Sequence, residues 1–177
     1  MFNTKIVQLF GGPGAGKSTM AAMLFSSLKL LGHDTELVTE FAKKLTWHDR
    51  FNSLACQPYV FGKQLHEIEL LLGQVEFIVT DSPILLSCIY TTDKYPASFQ
   101  QFIIEHFKTL PNINYYLERV KKYNPNGRNQ TEAESDEIGL KILDLLDKNG
   151  ISYQRVPGSV KEVETILNQI TGKTNEG

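Results

Sequence analysis

Hydrophobic residues along the chain gather in short blocks rich in β-branched and aromatic side chains, at 5–10, 35–39, 75–80, 113–117 and 152–156. Each block is about a strand long, and between blocks the apolar positions change to a helical period. Strand and helix alternating in this way predict parallel β-α units and a doubly wound α/β sheet. The helices mark their own ends. Met20, Leu24, Leu28 and Leu31 recur at helical spacing behind Lys17, and Gly32 stands where a C-terminal cap belongs. The stretches TEAE at 131–134 and SVKE at 159–162 read as capping boxes that open two further helices. A helix is expected over 41–47, and Ser82 is a candidate N-cap for one begun by Pro83. No repeat or low-complexity segment interrupts the pattern, so one domain is expected over 1–172, with 173–177 a flexible tail.

Between the first strand and the first helix stands GGPGAGKS, residues 11–18, which matches G-x-x-x-x-G-K-[ST] in the context that gives the motif its meaning. Glycines without a Cβ let successive N–H groups face one concavity. The helix N-terminus adds partial positive charge, so backbone alone can wrap a di- or triphosphate. On this reading Gly12, Pro13, Gly14, Ala15, Gly16, Lys17, Ser18 and Thr19 line a nucleotide. Lys17 reaches the β and γ phosphates, Ser18 ligates Mg²⁺, and Thr19 lies near the α phosphate. The competing reading is a tight strand-to-helix turn that uses glycine for convenience. The motif does not say what becomes of the phosphate.

Charge and cysteine usage narrow the partners. The 177 residues carry a formal net charge of −2 and a sequence pI near 6.1, so no broad positive surface draws the protein onto nucleic acid or anionic lipid. Cys56 and Cys88 stand far apart and the four histidines are scattered, which suggests neither a disulfide framework nor a zinc site. Apolar runs are too short for a signal-peptide core or a membrane span, and a cytoplasmic protein is expected.

The end of the third block separates the nucleotide-binding classes. VEFIVTDSP supplies a single carboxylate, Asp81, without the second acid that water-activating motors carry there. A GTPase switch would show D-x-x-G and N-K-x-D, and neither fits. With its glycine loop and element order, the chain resembles the small P-loop kinases, the group of nucleoside and nucleotide kinases, polynucleotide kinase and the ribosylnicotinamide kinases. That resemblance implies a P-loop NTPase fold of three α/β/α layers. It further implies a five-stranded parallel sheet in the order 2-3-1-4-5, a lid loop, and the use of ATP with Mg²⁺.

It also implies site residues. Glu40, just after the second strand, would accept the proton of the attacking hydroxyl. Its alternative is a solvated acid at a helix start. Asp81 would hold Mg²⁺ or share the base role. In ERVKKYNPNGRNQ, Arg128 and then Arg119 are the candidates that close over the triphosphate, while Lys121 and Lys122 are bystanders. Pro157, in the loop after the last strand, would line the adenine.

The acceptor falls to residues 41–72, where Phe41, Trp47, Phe51, Tyr59 and Phe61 are interleaved with His48, Asp49, Arg50, Asn52, Gln57, Lys63, Gln64 and His66. Such a mixture suits a planar heterocycle stacked on a ring and read at its edge, with Trp47 and Arg50 the foremost candidates. Three functions remain open. The leading one is a kinase for a nucleoside, nucleotide or related ribosylated small molecule. The second is a kinase for a hydroxyl on nucleic acid, either a 5′ end or a hydroxymethylpyrimidine of the kind small phage kinases use; the acidic charge weighs against it. The third is a noncatalytic ATP-binding regulator. Monomer and homodimer are both open.

Overall fold

The computed structural model describes residues 1–125 and 130–172; the tail expected at 173–177 and the candidate Arg128 lie outside the described residues. Five strands, β1 (Lys5–Phe10), β2 (Thr35–Val38), β3 (Phe77–Thr80), β4 (Asn112–Glu118) and β5 (Gln154–Pro157), form one parallel sheet in the order β2-β3-β1-β4-β5. This is the order expected of a P-loop kinase. The helices are α1 (Lys17–Leu30), α2 (Phe41–Trp47), α3 (Phe51–Leu54), α4 (Gln57–Glu69), α5 (Ser87–Tyr90), α6 (Ala97–Thr109), α7 (Glu132–Lys148) and α8 (Glu162–Thr171), with a 3-10 turn at Ile84–Leu86.

The central strand shows why helices lie on both faces. Ile6, Val7, Leu9 and Phe10 are all fully buried, the near-continuous apolar run of a strand covered on both sides. Val7 and Leu9 point into one core with Leu24 and Leu28 of α1 and Ile166 of α8. Ile6 and Phe10 point into the other with Ile68 of α4, Phe107 of α6 and Ile142 of α7. Parallel pairing sets Val7 against both Val79 and Ile113, so β1 has β3 on one side and β4 on the other. Among the described residues no helix is long and apolar enough to cross a membrane.

Several local expectations need correction. The third strand begins at Phe77 rather than 75, because the Glu76 and Phe77 amides both donate to the Asp34 carbonyl before the ladder starts. At α8 the capping box does not form. The Ser159 hydroxyl instead accepts from the Lys161 amide at 3.4 Å in a turn, and the helix starts at Glu162. Ser82 does not cap either; its N–H donates to the Thr80 hydroxyl at 3.1 Å, and a 3-10 turn follows Pro83. The box at α7 does form, with Thr131 Oγ1 accepting from the Glu134 amide and Glu134 returning to the Thr131 amide. Gly32 closes α1 at φ 88°, with His33 N–H donating to Leu28 O. Helix α6 is an element beyond those expected from the sequence.

Candidate active site

The glycine loop leaves the C-terminal end of β1 and turns into α1 at Gly16, whose φ of 97° is a left-handed value that a side chain would resist. Lys17 folds back over the loop, donating to the Gly11 carbonyl at 2.7 Å and the Gly12 carbonyl at 3.1 Å. Ala15 is buried, Pro13, Gly14, Gly16 and Lys17 are half-buried, and Ser18 and Thr19 are exposed on the first turn of α1. Pro157 ends β5, and the glycine after it packs so tightly on the loop that a Cβ on Gly158 would collide with the Ala15 carbonyl.

A cavity of about 190 Å³ opens beside the loop. Gly11, Pro13 and Lys17 form one side; Gln57, Gln64 and Tyr90 form another, and Glu40 is also on its wall. Glu40 is placed by the end of β2. Its backbone N–H donates to Asp81 Oδ1 at 3.1 Å, which locks the ends of β2 and β3 together. Asp81 is 4% exposed and stands at the C-terminal edge of β3, while the cavity wall beside it is made by Ser82 and Pro83. Loss of water around the phenol, and secondarily the Glu40 carboxylate, raise the Tyr90 pKa, so its hydroxyl remains a donor at neutral pH.

Gln64 is the distinctive wall residue. It is 3% exposed, and its Oε1 accepts from the Phe41 amide at 3.1 Å. That bond fixes which end of the side-chain amide is which. Nε2 is buried and has no partner among the described residues, a donor whose desolvation nothing in the protein repays. Gln57 shares the same face of α4, with its Nε2 bonded to the Leu54 carbonyl.

Of the other candidates, Trp47 is 66% exposed and Arg50 is also exposed; neither lines the cavity, to which α2 contributes Ala42, Lys43 and Thr46 instead. Arg119 follows β4 and is drawn toward α7. Its Nη2 lies 2.5 Å from Asp136 Oδ1 and 3.2 Å from Glu132 Oε1, and the guanidinium sits over the Tyr123 ring. It borders a second cavity of about 360 Å³ behind the glycine loop, rather than the one holding Glu40. Lys43, Thr46 and Tyr90 are wall residues that the sequence did not single out, and Gln57 and Gln64 outrank the two candidates it placed foremost. The spacing 57, 60, 64 was a usable signal, since it repeats one helical face with two amides and a valine.

Among the described residues no cluster of three or more His, Cys, Asp or Glu side chains could hold a metal. Mg²⁺ with phosphate asks less: one or two protein oxygens, the rest being phosphate and water. The two oxygens the sequence offers for it stand at the ends of α1 and β3: the Ser18 hydroxyl is exposed, and the Asp81 carboxylate is buried, with neither on the wall of the front cavity.

A family model described as an AAA domain matches residues 6–162. No curated protein matches the sequence. Among solved structures, the chain is similar to deoxyadenosine kinase from M. mycoides with the products dCMP and a flexible dCDP bound, at 15% identity and a TM-score of 0.55. It is likewise similar to the same kinase with bound dCTP, at 20% identity and a TM-score of 0.55. Each similarity covers 94% of this chain and 99% of the other. At these identities the likeness is one of fold, a three-layer P-loop sandwich.

Proposed function

The chain belongs to the AAA domain family, and we propose that within it the protein is an ATP-dependent kinase. The acceptor is a nucleoside, a nucleotide or a related ribosylated small molecule. The observation that carries this reading is a single cavity bordered by Lys17 on one side, by Gln64, whose Nε2 has no partner among the described residues, on another, and by Glu40. A cavity of about 190 Å³ suits one small molecule better than a polymer strand.

Backbone N–H groups of the glycine loop wrap the triphosphate, and Lys17 exchanges the Gly11 and Gly12 carbonyls for the β and γ phosphates. Ser18 and Asp81 would hold Mg²⁺, which when bound neutralises phosphate charge. With Asp81 Oδ1 engaged by the Glu40 amide, the geometry favours Glu40 as the base. Glu40 takes the proton as the acceptor oxygen bonds to the γ phosphorus, and the bond from that phosphorus to the β–γ bridging oxygen breaks to release ADP. Gln64 Nε2 donates to a carbonyl or ring nitrogen of the acceptor. Arg119 serves the charge that develops on transfer once it leaves Asp136 and Glu132, whose exposed carboxylates can be resolvated as it goes.

The test is to incubate the protein with γ-labelled ATP and a panel of nucleosides, nucleoside monophosphates, modified DNA and 5′-hydroxyl oligonucleotides. Label is expected on a small acceptor, and Glu40→Gln is expected to cut transfer by about 10² or more with ATP affinity unchanged. Label on DNA alone would move the acceptor to nucleic acid. ATP turnover indifferent to every acceptor and to Glu40→Gln would refute a kinase and leave an ATP-binding regulator.

A further inference from the structure

Helix α7 supports the glycine loop from behind, and one of its side chains bonds to it directly. Ser135 is 2% exposed, and its hydroxyl donates to the Pro13 carbonyl at 2.5 Å. A serine inside a helix more commonly turns its hydroxyl back on the helix's own carbonyls. Here the bond spans 122 residues of sequence to reach another segment.

The consequence lies in the next atom of the loop. The Pro13 carbonyl and the Gly14 N–H belong to one trans peptide plane and point in opposite directions. Anchoring the oxygen toward α7 therefore turns the Gly14 N–H away from α7. Pro13 borders both cavities; Ser135 lines only the rear one, and Lys17 only the front. The Gly14 amide thus points away from the rear cavity that Ser135 lines, and no acceptor among the described residues takes it. Gly14 itself holds φ 82°, the left-handed conformation this presentation needs.

We propose that Ser135 is a positioning residue for phosphate binding: by fixing the Pro13 carbonyl it aims the Gly14 amide at the triphosphate. The same two turns of α7 hold Arg119 through Glu132 and Asp136, so the helix that follows the lid segment also sets the shape of the phosphate cradle. This rests on the reading of the loop as a nucleotide site, but not on the identity of the acceptor.

The experiment titrates MgADP into wild type, Ser135→Ala and Ser135→Thr by calorimetry, and follows the Gly14, Ser18 and Thr19 amides by NMR. In wild type all three amides shift on binding. In Ser135→Ala the dissociation constant is expected to rise about tenfold, the scale of one misdirected bond to a charged group. The Gly14 shift shrinks while those of Ser18 and Thr19 persist. Ser135→Thr keeps the hydroxyl but adds a methyl to close packing, so its Gly14 shift is expected to persist even where its affinity falls. Should the alanine variant fail to fold, Ser135→Cys keeps the volume with a weaker donor and is expected to show the same loss. Wild-type affinity and an undiminished Gly14 shift in Ser135→Ala would overturn the inference, whether or not its melting temperature falls. A wild type that binds no MgADP would remove the nucleotide reading and this inference with it.

Discussion

Gly12→Ala measures how closely the glycine loop and α7 are fitted. A Cβ on Gly12 would lie 2.5 Å from the Ser135 carbonyl oxygen, 3.2 Å from its hydroxyl and 3.5 Å from the Gly139 amide. Gly12 is not among the glycines with positive φ, so alanine brings no backbone strain and the cost is steric. To restore an ordinary contact of 3.4 Å, the loop and the helix must part by about 0.9 Å, and both surfaces are backbone that cannot rotate aside. Overpacking of this kind costs about 1–3 kcal/mol. In a domain of this size each kcal/mol lowers the melting temperature by about 2–4 °C, so the expected fall is about 2–12 °C. On the proposed reading of the displaced segment as the phosphate cradle, MgADP affinity should fall with it, by about tenfold. Gly62→Ala is the matched control. Gly62 lies inside α4 with ordinary φ, and a Cβ added there would meet nothing within 4 Å, so the same extra methyl should stabilise, by about 0.4–1 kcal/mol. Thermal unfolding of both variants, followed by MgADP titration, gives opposite signs if the close fit is real. A Gly12→Ala protein that melts and binds as wild type does would show that the loop is not held against α7.

Two further outcomes can be measured separately. Gln64→Glu keeps an oxygen for the Phe41 amide but removes the buried donor, so the acceptor KM should rise about tenfold or more while MgADP affinity holds; an unchanged KM would detach Gln64 from the acceptor. Glu134 has its pKa lowered by the Thr131 amide and hydroxyl, so its contribution to stability is present above the unfolded pKa and is lost as pH falls through the depressed folded value. Glu134→Gln should therefore flatten the acid side of the melting-temperature profile between about pH 5 and pH 3, and an unaltered slope would count against the capping box.

The strands, the glycine loop and the α7 cap were legible because each is a local pattern whose physical cause lies within a few residues. Strand ends were less so, since pairing decides them: residues 75 and 76 carry strand composition, yet the ladder begins only at Phe77 opposite Lys5 and Thr35. Helix α6 did carry a signal, in Phe99, Ile103 and Phe107 at intervals of four behind Pro96. The acceptor side shows the deeper difficulty. Periodicity says which residues share a helical face, but not whether that face meets core, cavity or water. Exposed Trp47 and buried Gln64 could not be told apart in that way. Tyr90 and Ser135 reach the site from distant segments, and only the packed sheet brings them in.

Strand order itself assigns the halves of the site. Because β1 has β3 on one side and β4 on the other, the glycine loop emerges at a switch point where neighbouring strands lead away in opposite directions, the place where open α/β sheets bind ligands. The β3 and β2 ends bring Asp81 and Glu40 to one flank, joined by the bond from the Glu40 amide. The β4 and β5 ends bring Arg119 and Pro157 to the other. Helices α2, α3 and α4 connect β2 to β3, so most of the front cavity's wall lies on the first flank, with Gln130 and Ile142 reaching it from beyond β4. On the proposed function, substitutions on α2 and α4 should change the acceptor preference rather than ATP binding. Helix α7 is different. It packs against the back of the loop through Gly12, Ser135 and Gly139 while Ile142, two turns on from Ser135, borders the front cavity, so it touches both halves. On the proposed function, a displacement of α7 would therefore act on donor and acceptor together.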